Sequence, residues 1–425
     1  MKKIISLFIA LIVILVGSWL GASFYSARTT GHYVTSMPEL YKQNDYMHIK
    51  TIEHHQSAFS SNGQFEIRFP HLIPTTEGAS GAIGFVVQYK ISNLLLPDSA
   101  GRLEWKMTGD DAIDPVLKKI FGQGPTMHGK GHITYSGQRH SSVDLSELLF
   151  KDAQSSLKLT PLTGQATWDN TSLHLKLKSD HLHARTESIV TDWHGMAIDI
   201  KLSNRNLGLG TYVFEIDKGA SQSSTFEEMK ITKIASLVNE RFNLAIAQTI
   251  KQYSFDKIKL SDIDQEFVLS GMDKESVMAI SYILRNVKDI YTLTADEQVK
   301  MSSALRTLFN KGFSFGIPRL STKIDGGALT GKMNVEVLSA DGSDVPFSSA
   351  QRLRAAGHVD LIGRGGLDNA QRMTALMLGL AVKTPEGMKT SFEFVNGVIM
   401  ANGKTFDVKD NLIFLDNMIN ALINP

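Results

Sequence analysis

The sequence predicts an α+β, β-dominated fold: an N-terminal transmembrane helix, then a large antiparallel meandering sheet with a helical pair and further C-terminal helices. Three observations carry this reading. Residues 4–25 form an essentially charge-free run. Two-residue alternation of apolar and polar side chains dominates from about residue 64 to residue 272, the signature of strands with one buried face. From Lys274 the apolar period changes to that of a helix.

The N-terminal run comes first. About 20 apolar or small residues span a bilayer core as a helix, and here Ile4, Leu11, Leu15, Trp19 and Leu20 would face the lipid. Lys2 and Lys3 precede the run and are expected to stay in the cytoplasm. Cleavage as a secretory signal is the competing reading: Ala22-Ser23-Phe24 lacks the small-x-small pattern a peptidase prefers, although Tyr25-Ser26-Ala27 leaves some room for it. Either way the remainder is read as exported: a single-pass inner-membrane protein with the bulk of the chain in the periplasm. The expected division is a stub and signal-anchor over 1–27, a β-rich region over 28–272, a helical pair over 273–312 and a C-terminal α+β region over 313–425.

A chain of 425 residues that is 42% hydrophobic buries a sizeable core, as two lobes or as one elongated sheet. Its 44 Lys and Arg balance 43 Asp and Glu for a net charge of +1, which gives no electrostatic footprint for nucleic acid. There is no cysteine, so thiol catalysis, cysteine metal sites and disulfides are all excluded.

Along the meander, Leu173, Leu175 and Leu177 alternate with His174, Lys176 and Lys178, and Ile198, Ile200 and Leu202 alternate with Asp199 and Lys201. These six apolar residues are the candidate sheet face, which is either a closed core or an open groove. Asp169-Asn170 and Asn204-Arg205-Asn206 supply turns. Residues 229–253 fit a helix through Ile231, Ile234, Leu237 and Val238, and a strand through Phe242, Leu244 and Ile246. Beyond Lys274, Val277, Ile280, Ile283, Leu284, Val287, Ile290 and Tyr291 share a helical face. Thr294-Ala295-Asp296-Glu297 has the form of a capping box that opens a second helix, with Gly312 as its stop. Met333, Val335 and Val337 then alternate as a strand. A helix opened by Asp368 and Gln371 carries Met373, Leu376, Met377 and Leu380 as far as Pro385. Strands over 390–394 and 398–400 are joined through Asn396-Gly397, and Asn402-Gly403 makes another turn. Leu412, Leu415, Ile419 and Leu422 sit at helical spacing in a last segment that caps the core, lies on a membrane or pairs with another subunit.

Taken in order, these features resemble the bacterial YdgA family. The resemblance rests on the anchor with Trp19 and Gly21, the segment Phe59-Ser60-Ser61-Asn62-Gly63 leading into a strand, the long meander, residues 155–164 (SSLKLTPLTG) and the C-terminal FEFVNGVIMANG hairpin. It spreads over nearly the whole chain, and its motifs are strand and turn signatures. The His-Gly-Pro tripeptide associated with that family's early strands is absent, with Asn93-Leu94-Leu95-Leu96-Pro97 in roughly its place. The resemblance implies a bitopic inner-membrane protein with a periplasmic β-rich body and no established biochemical role. It also implies strands over 229–253, and it transfers no site residues.

Histidine and carboxylate are the metal-ligand types available, and there are 13 histidines. His54-His55, His128 with His132 and His140, and His181 with His183 are the local groups. His181 and His183, at i and i+2 on a strand, point to one face and would hold an ion if a third ligand arrived. No diagnostic spacing supplies that ligand, so neither a metal nor any other cofactor is expected. Ser155-Ser156-Leu157-Lys158 matches S-x-x-K, but strand geometry puts Ser155 and Lys158 on opposite faces and the companion motifs are missing. Gly363-Arg364-Gly365-Gly366 lacks the lysine of a phosphate loop. Asp110-Asp111 are adjacent and expected to be solvated, with no acid/base role.

The expectation is therefore a non-enzymatic, inner-membrane-anchored envelope protein with a binding or assembly role through its sheet surface. A lipid or amphiphile carrier using an apolar groove is the second expectation, and an enzyme with an unrecognised site the third. Expected partners are the inner membrane, a lipid or envelope protein, and a second copy of the chain. No nucleic acid is expected.

Overall fold

In the computed structural model the described residues are 48–423 except 57–59, 70–82, 93–98, 100, 135, 137, 152–153, 170, 206, 287–292, 325, 341–345 and 364–368. The anchor residues Ile4, Leu11, Leu15, Trp19 and Leu20 lie outside them, as do Phe59, residues 93–97, Val287, Ile290, Tyr291 and residues 364–366. Among the described residues no helix is long and apolar enough to cross a membrane. The chain divides into two units between Gln222 and Ser223, and every strand pairing within each is antiparallel. The fold is thus β-dominated, with six helices among the described residues.

In the first unit, β1 (His48–Gln56), β2 (Ser60–Phe69), β3 (Ile83–Ser92), β4 (Gly101–Gly109), β5 (Met127–Ile133) and β6 (Arg139–Leu145) pair in succession. A short helix α1 (Asp114–Phe121) follows β4. β7 (Leu148–Lys151) pairs with β8 (Ser156–Leu159), and β9 (Leu162–Trp168) returns to β6. β10 (Leu173–Arg185) takes β9 along its first half and β8 along its last residues, with Pro161 between those two partners. β11 (Val190–Asn204) and β12 (Leu209–Ser221) complete the ladder.

Alternation fills the core of this unit. Phe65, Ile67, Phe85, Val87, Met107, Met127, Trp168 and Leu177 are 0–1% exposed and belong to one cluster that runs from Ile49 to Leu202. Burying each such side chain stabilises the fold by roughly 1.5–3 kcal/mol. Trp105 shows how the faces interlock. It pairs with Gly129, whose missing side chain lets the indole lie across β5 and donate from Nε1 to Ser141 Oγ on β6 at 3.1 Å. Tyr89 crosses Gly63 in the same way to reach His54 Nδ1 at 2.5 Å.

In the second unit, β13 (Ser224–Val238), β14 (Arg241–Phe255) and β15 (Ile258–Asp273) are long neighbouring strands. The ambiguous stretch over 229–253 is therefore strand on both sides of a tight turn, where Asn239 and Glu240 take positive φ. Two helices follow, α2 (Lys274–Asn286) and α3 (Ala295–Lys311). The predicted capping box is present at α3: Thr294 Oγ1 accepts from the Glu297 amide and the Glu297 carboxylate accepts from the Thr294 amide. Gly312, at φ 71°, ends the helix as expected.

β16 (Phe313–Ile324) and β17 (Gly327–Val337) extend the ladder from β15. The one-turn helix α4 (Ser349–Arg352) then leads into β18 (Leu353–Gly363), which pairs with β17. α5 (Asn369–Met377) is shorter than predicted. Gly379, at φ 72°, follows its end, and residues as far as Pro385, expected to be helical, include β19 (Val382–Lys383). β20 (Gly387–Val395) pairs with β18 and turns at Asn396-Gly397 into β21 (Val398–Ala401). Asn402-Gly403 then turns into β22 (Lys404–Asp407), and all four of these turn residues have positive φ. α6 (Lys409–Ile423) closes the chain, with Ile419 and Ile423 buried against Val337 and Phe347.

Candidate functional site

The sequence-predicted apolar face is a packed core. Leu173, Leu175, Leu177 and Leu202 are buried, and Ile198 and Ile200 pack against the same cluster. Register explains this: Leu173 opposes Leu202, Leu175 opposes Ile200 and Leu177 opposes Ile198, so all six share one face. An open groove at these positions is excluded.

Further along the same two strands the buried parity changes. Leu182 is 3% exposed while His181 and His183 are half-buried on the other side. The change falls next to Gly195, whose φ of 64° lies in the left-handed region, and a Cβ there would meet the Asp217 carboxylate at 2.0 Å. Beyond it, Leu182 and Trp193 turn to the core, and His181, His183, Asp192 and His194 gather on the opposite face. The Asp192 carboxylate is their centre. Its Oδ1 lies 2.9 Å from His181 Nε2 and 2.7 Å from His194 Nε2, and its Oδ2 lies 2.9 Å from His183 Nδ1. The rings of His181 and His194 stack at 4.4 Å with 9° between planes. The His183 hydrogen bond, with help from His181 and His194, outweighs partial burial and holds the Asp192 carboxyl below its ordinary range.

Sequence spacing gave His181 and His183 but not their partners. The turn over 186–189, closed by the Thr186 amide donating to the Ile189 carbonyl, brings His194 opposite His181 and Asp192 opposite His183. The legible signal was a second i, i+2 pair of ligand types on the next alternating strand.

The second unit presents a different surface. Its buried clusters are small and lie at two places on the sheet: Val337 with Phe347, Ile419 and Ile423, and Leu361 with Ala381 and Met388. Between them, register puts Phe267, Leu269, Phe315, Met333, Val335, Val359 and Phe392 on one face across β15 to β20. These side chains are only half-buried, and Phe267 is 40% exposed. Alternate residues of the same strands, among them Val268, Ser314, Lys332, Asn334, His358 and Glu393, line a groove of about 870 Å³. That volume is in the range of small-molecule sites, which combine apolar walls with a few polar groups.

A β-dominated chain of antiparallel meanders, one unit with a closed core and one with an uncovered apolar face, defines a protein built around sheet surfaces. It belongs to a bacterial family of unknown function, DUF945, whose profile matches residues 1–362. No curated protein and no solved structure matches the chain. The resemblance drawn from the sequence thus holds at the level of a bacterial family without an assigned role.

Proposed function

We propose that this chain is a non-enzymatic envelope protein, tethered to the bacterial inner membrane by residues 4–25, that binds an envelope partner through the sheet face of its second unit. One observation carries the reading: the row from Phe267 to Phe392 is apolar and is left partly exposed by the described residues between the two buried clusters. Contiguous exposed apolar surface of this kind marks interaction sites. The charge-free run behind Lys2 and Lys3 supports the tether, and the resemblance to inner-membrane-anchored proteins agrees with it.

A second reading is capture of a lipid or other amphiphile. It is favoured by the composition of the row, in which the aligned residues of β16, β17, β18 and β20 on that face include no charged side chain. Acyl chains ask for nothing more, whereas protein partners usually add hydrogen bonds.

Photo-crosslinking in cells tests both readings. A photoreactive residue at Met333 in the full-length chain is expected to yield a discrete protein adduct under the first and a lipid adduct under the second. Absence of any adduct, with efficient crosslinking at a control position in a known contact, would reject the face as a binding surface.

A further inference from the structure

We propose that His181, Asp192 and His194 form a binding site for a divalent transition metal, with His183 positioning the carboxylate and zinc the ion that this donor set fits best. Two imidazoles and a carboxylate, without thiolate, match the three protein ligands of a zinc site that keeps its fourth position open. The proposal is independent of the sheet-face reading above, because the four residues lie in the first unit on the side of β10 and β11 turned away from its core.

The geometry is close to what an ion requires. Ligand atoms of His181, Asp192 and His194 lie within 4.8 Å of one another. In a tetrahedral site with bonds of about 2.0–2.1 Å, neighbouring donors stand roughly 3.4 Å apart. The two imidazoles already converge on one oxygen, Asp192 Oδ1, at 2.9 and 2.7 Å. His183 lies outside this group of three, and its Nδ1, 2.9 Å from Asp192 Oδ2, holds the carboxylate in place from the other side. Asp192 and His194 stand at i and i+2 on β11 and His181 opposes His194 on β10, so the ladder fixes all three Cα positions before any ion arrives. Among the described residues, no other His, Asp or Glu groups gather three ligand atoms this closely.

Access and charge also fit. The side chains are 31–56% exposed, which leaves an entry path and room for water or a further ligand. Asp192 brings the carboxylate oxygen that such an ion takes beside imidazole nitrogen. The alternative is a structural network in which three imidazoles hydrogen-bond to Asp192 and nothing more.

The test uses the full-length protein in detergent, stripped with a chelator and titrated with Zn²⁺ against a chromophoric competitor. One zinc per chain is expected, with more than about a 100-fold loss of affinity in the His181→Ala, His194→Ala double variant. A His132→Ala, His140→Ala variant removes a stacked imidazole pair elsewhere in the unit and is expected to bind zinc as the unmodified chain does. No uptake by the unmodified protein, or equal binding by the first double variant, would establish the purely structural network. X-ray absorption at the zinc edge of the unmodified protein keeps the test independent of how the variants fold. Scattering from two or more imidazoles supports the site, and oxygen scattering alone overturns it.

Discussion

The carboxylate of Asp273 meets the ammonium of Lys311 at 2.5 Å, tying the start of α2 to the end of α3. Asp273 is 6% exposed, and its other oxygen accepts from the Ser276 amide at 3.0 Å and the Ser276 hydroxyl at 2.7 Å. One side chain thus caps the first helix and places its partner beside the negative end of the second. Burial works against ionisation of Asp273, but Lys311 and Ser276 outweigh it and hold the carboxyl below its usual range. Because the folded pKa is the lower one, the contribution is complete above the unfolded value of about 4 and disappears as pH falls through the folded value. Asp273→Ala is expected to cost about 1–2 kcal/mol. Hydrogen exchange across residues 274–311 checks this: protection should drop in the variant at neutral pH, and the difference should shrink in acid.

The contact of Trp105 with Ser141 depends on there being no side chain at Gly129. A Cβ at that position would meet the Ser142 carbonyl at 2.2 Å and the indole nitrogen at 2.7 Å. Gly129→Ala is expected to destabilise the first unit by about 1–3 kcal/mol through overpacking. Ser141→Ala leaves a buried indole N–H without its partner, at a similar cost of about 1–3 kcal/mol. Of the four tryptophans, Trp105, Trp168 and Trp193 lie among the described residues of this unit and none follows Gln222. Their fluorescence during urea unfolding therefore reports on this unit, and both variants should shift its midpoint downward.

Two substitutions of the same kind separate core from surface. Leu177 is 1% exposed inside the first unit's cluster, so Leu177→Asp buries an unpaired charge and is expected to abolish cooperative unfolding. Met333 is half-buried on the uncovered face of the second unit, so Met333→Asp should leave the folded state within about 1 kcal/mol of the parent. The same change should remove the crosslinked adduct formed from a photoreactive residue at Val359. A retained adduct would mean that Met333 contributes nothing to the contact made at Val359.

Periodicity made the sheet legible where one face is buried and the other wet. Leu173 to Leu177 and Ile198 to Leu202 could be read as facing strands because the core demands apolar residues at every second place. Local chemistry likewise marked the start and stop of α3, since the Thr294 to Glu297 box and Gly312 act within a few residues. Residues 229–253 defeated periodicity because β13 and β14 have half-buried residues on both faces, so no face is strictly apolar. The end of α5 was misplaced because Leu380 kept the helical spacing while Gly379 had already left the helix. The histidine cluster was out of reach for another reason. Its ligands are neighbours only through the register of β10 on β11, a long-range property that the spacing within either strand does not contain.

Gly195 ties that cluster to the core, and its replacement gives the sharpest test of the local architecture. Its φ of 64° costs an L side chain about 1–2 kcal/mol, and its Cβ would also strike the Asp217 carboxylate on β12. Gly195→Ala should therefore lose more than the backbone term alone. Asp217→Ala removes the carboxylate but leaves its own Cβ 2.8 Å from the new one, so in the double variant the backbone term and a smaller clash should remain. A double-mutant cycle is expected to show a favourable coupling above about 0.5 kcal/mol, the mark of residues in contact. Trp193 and His194 flank the change, so Trp193 emission and the His194 imidazole NMR signals should shift in Gly195→Ala and return toward the parent when Asp217 is also replaced. Strict additivity would mean that the strand re-aims its histidines by some route other than this close approach.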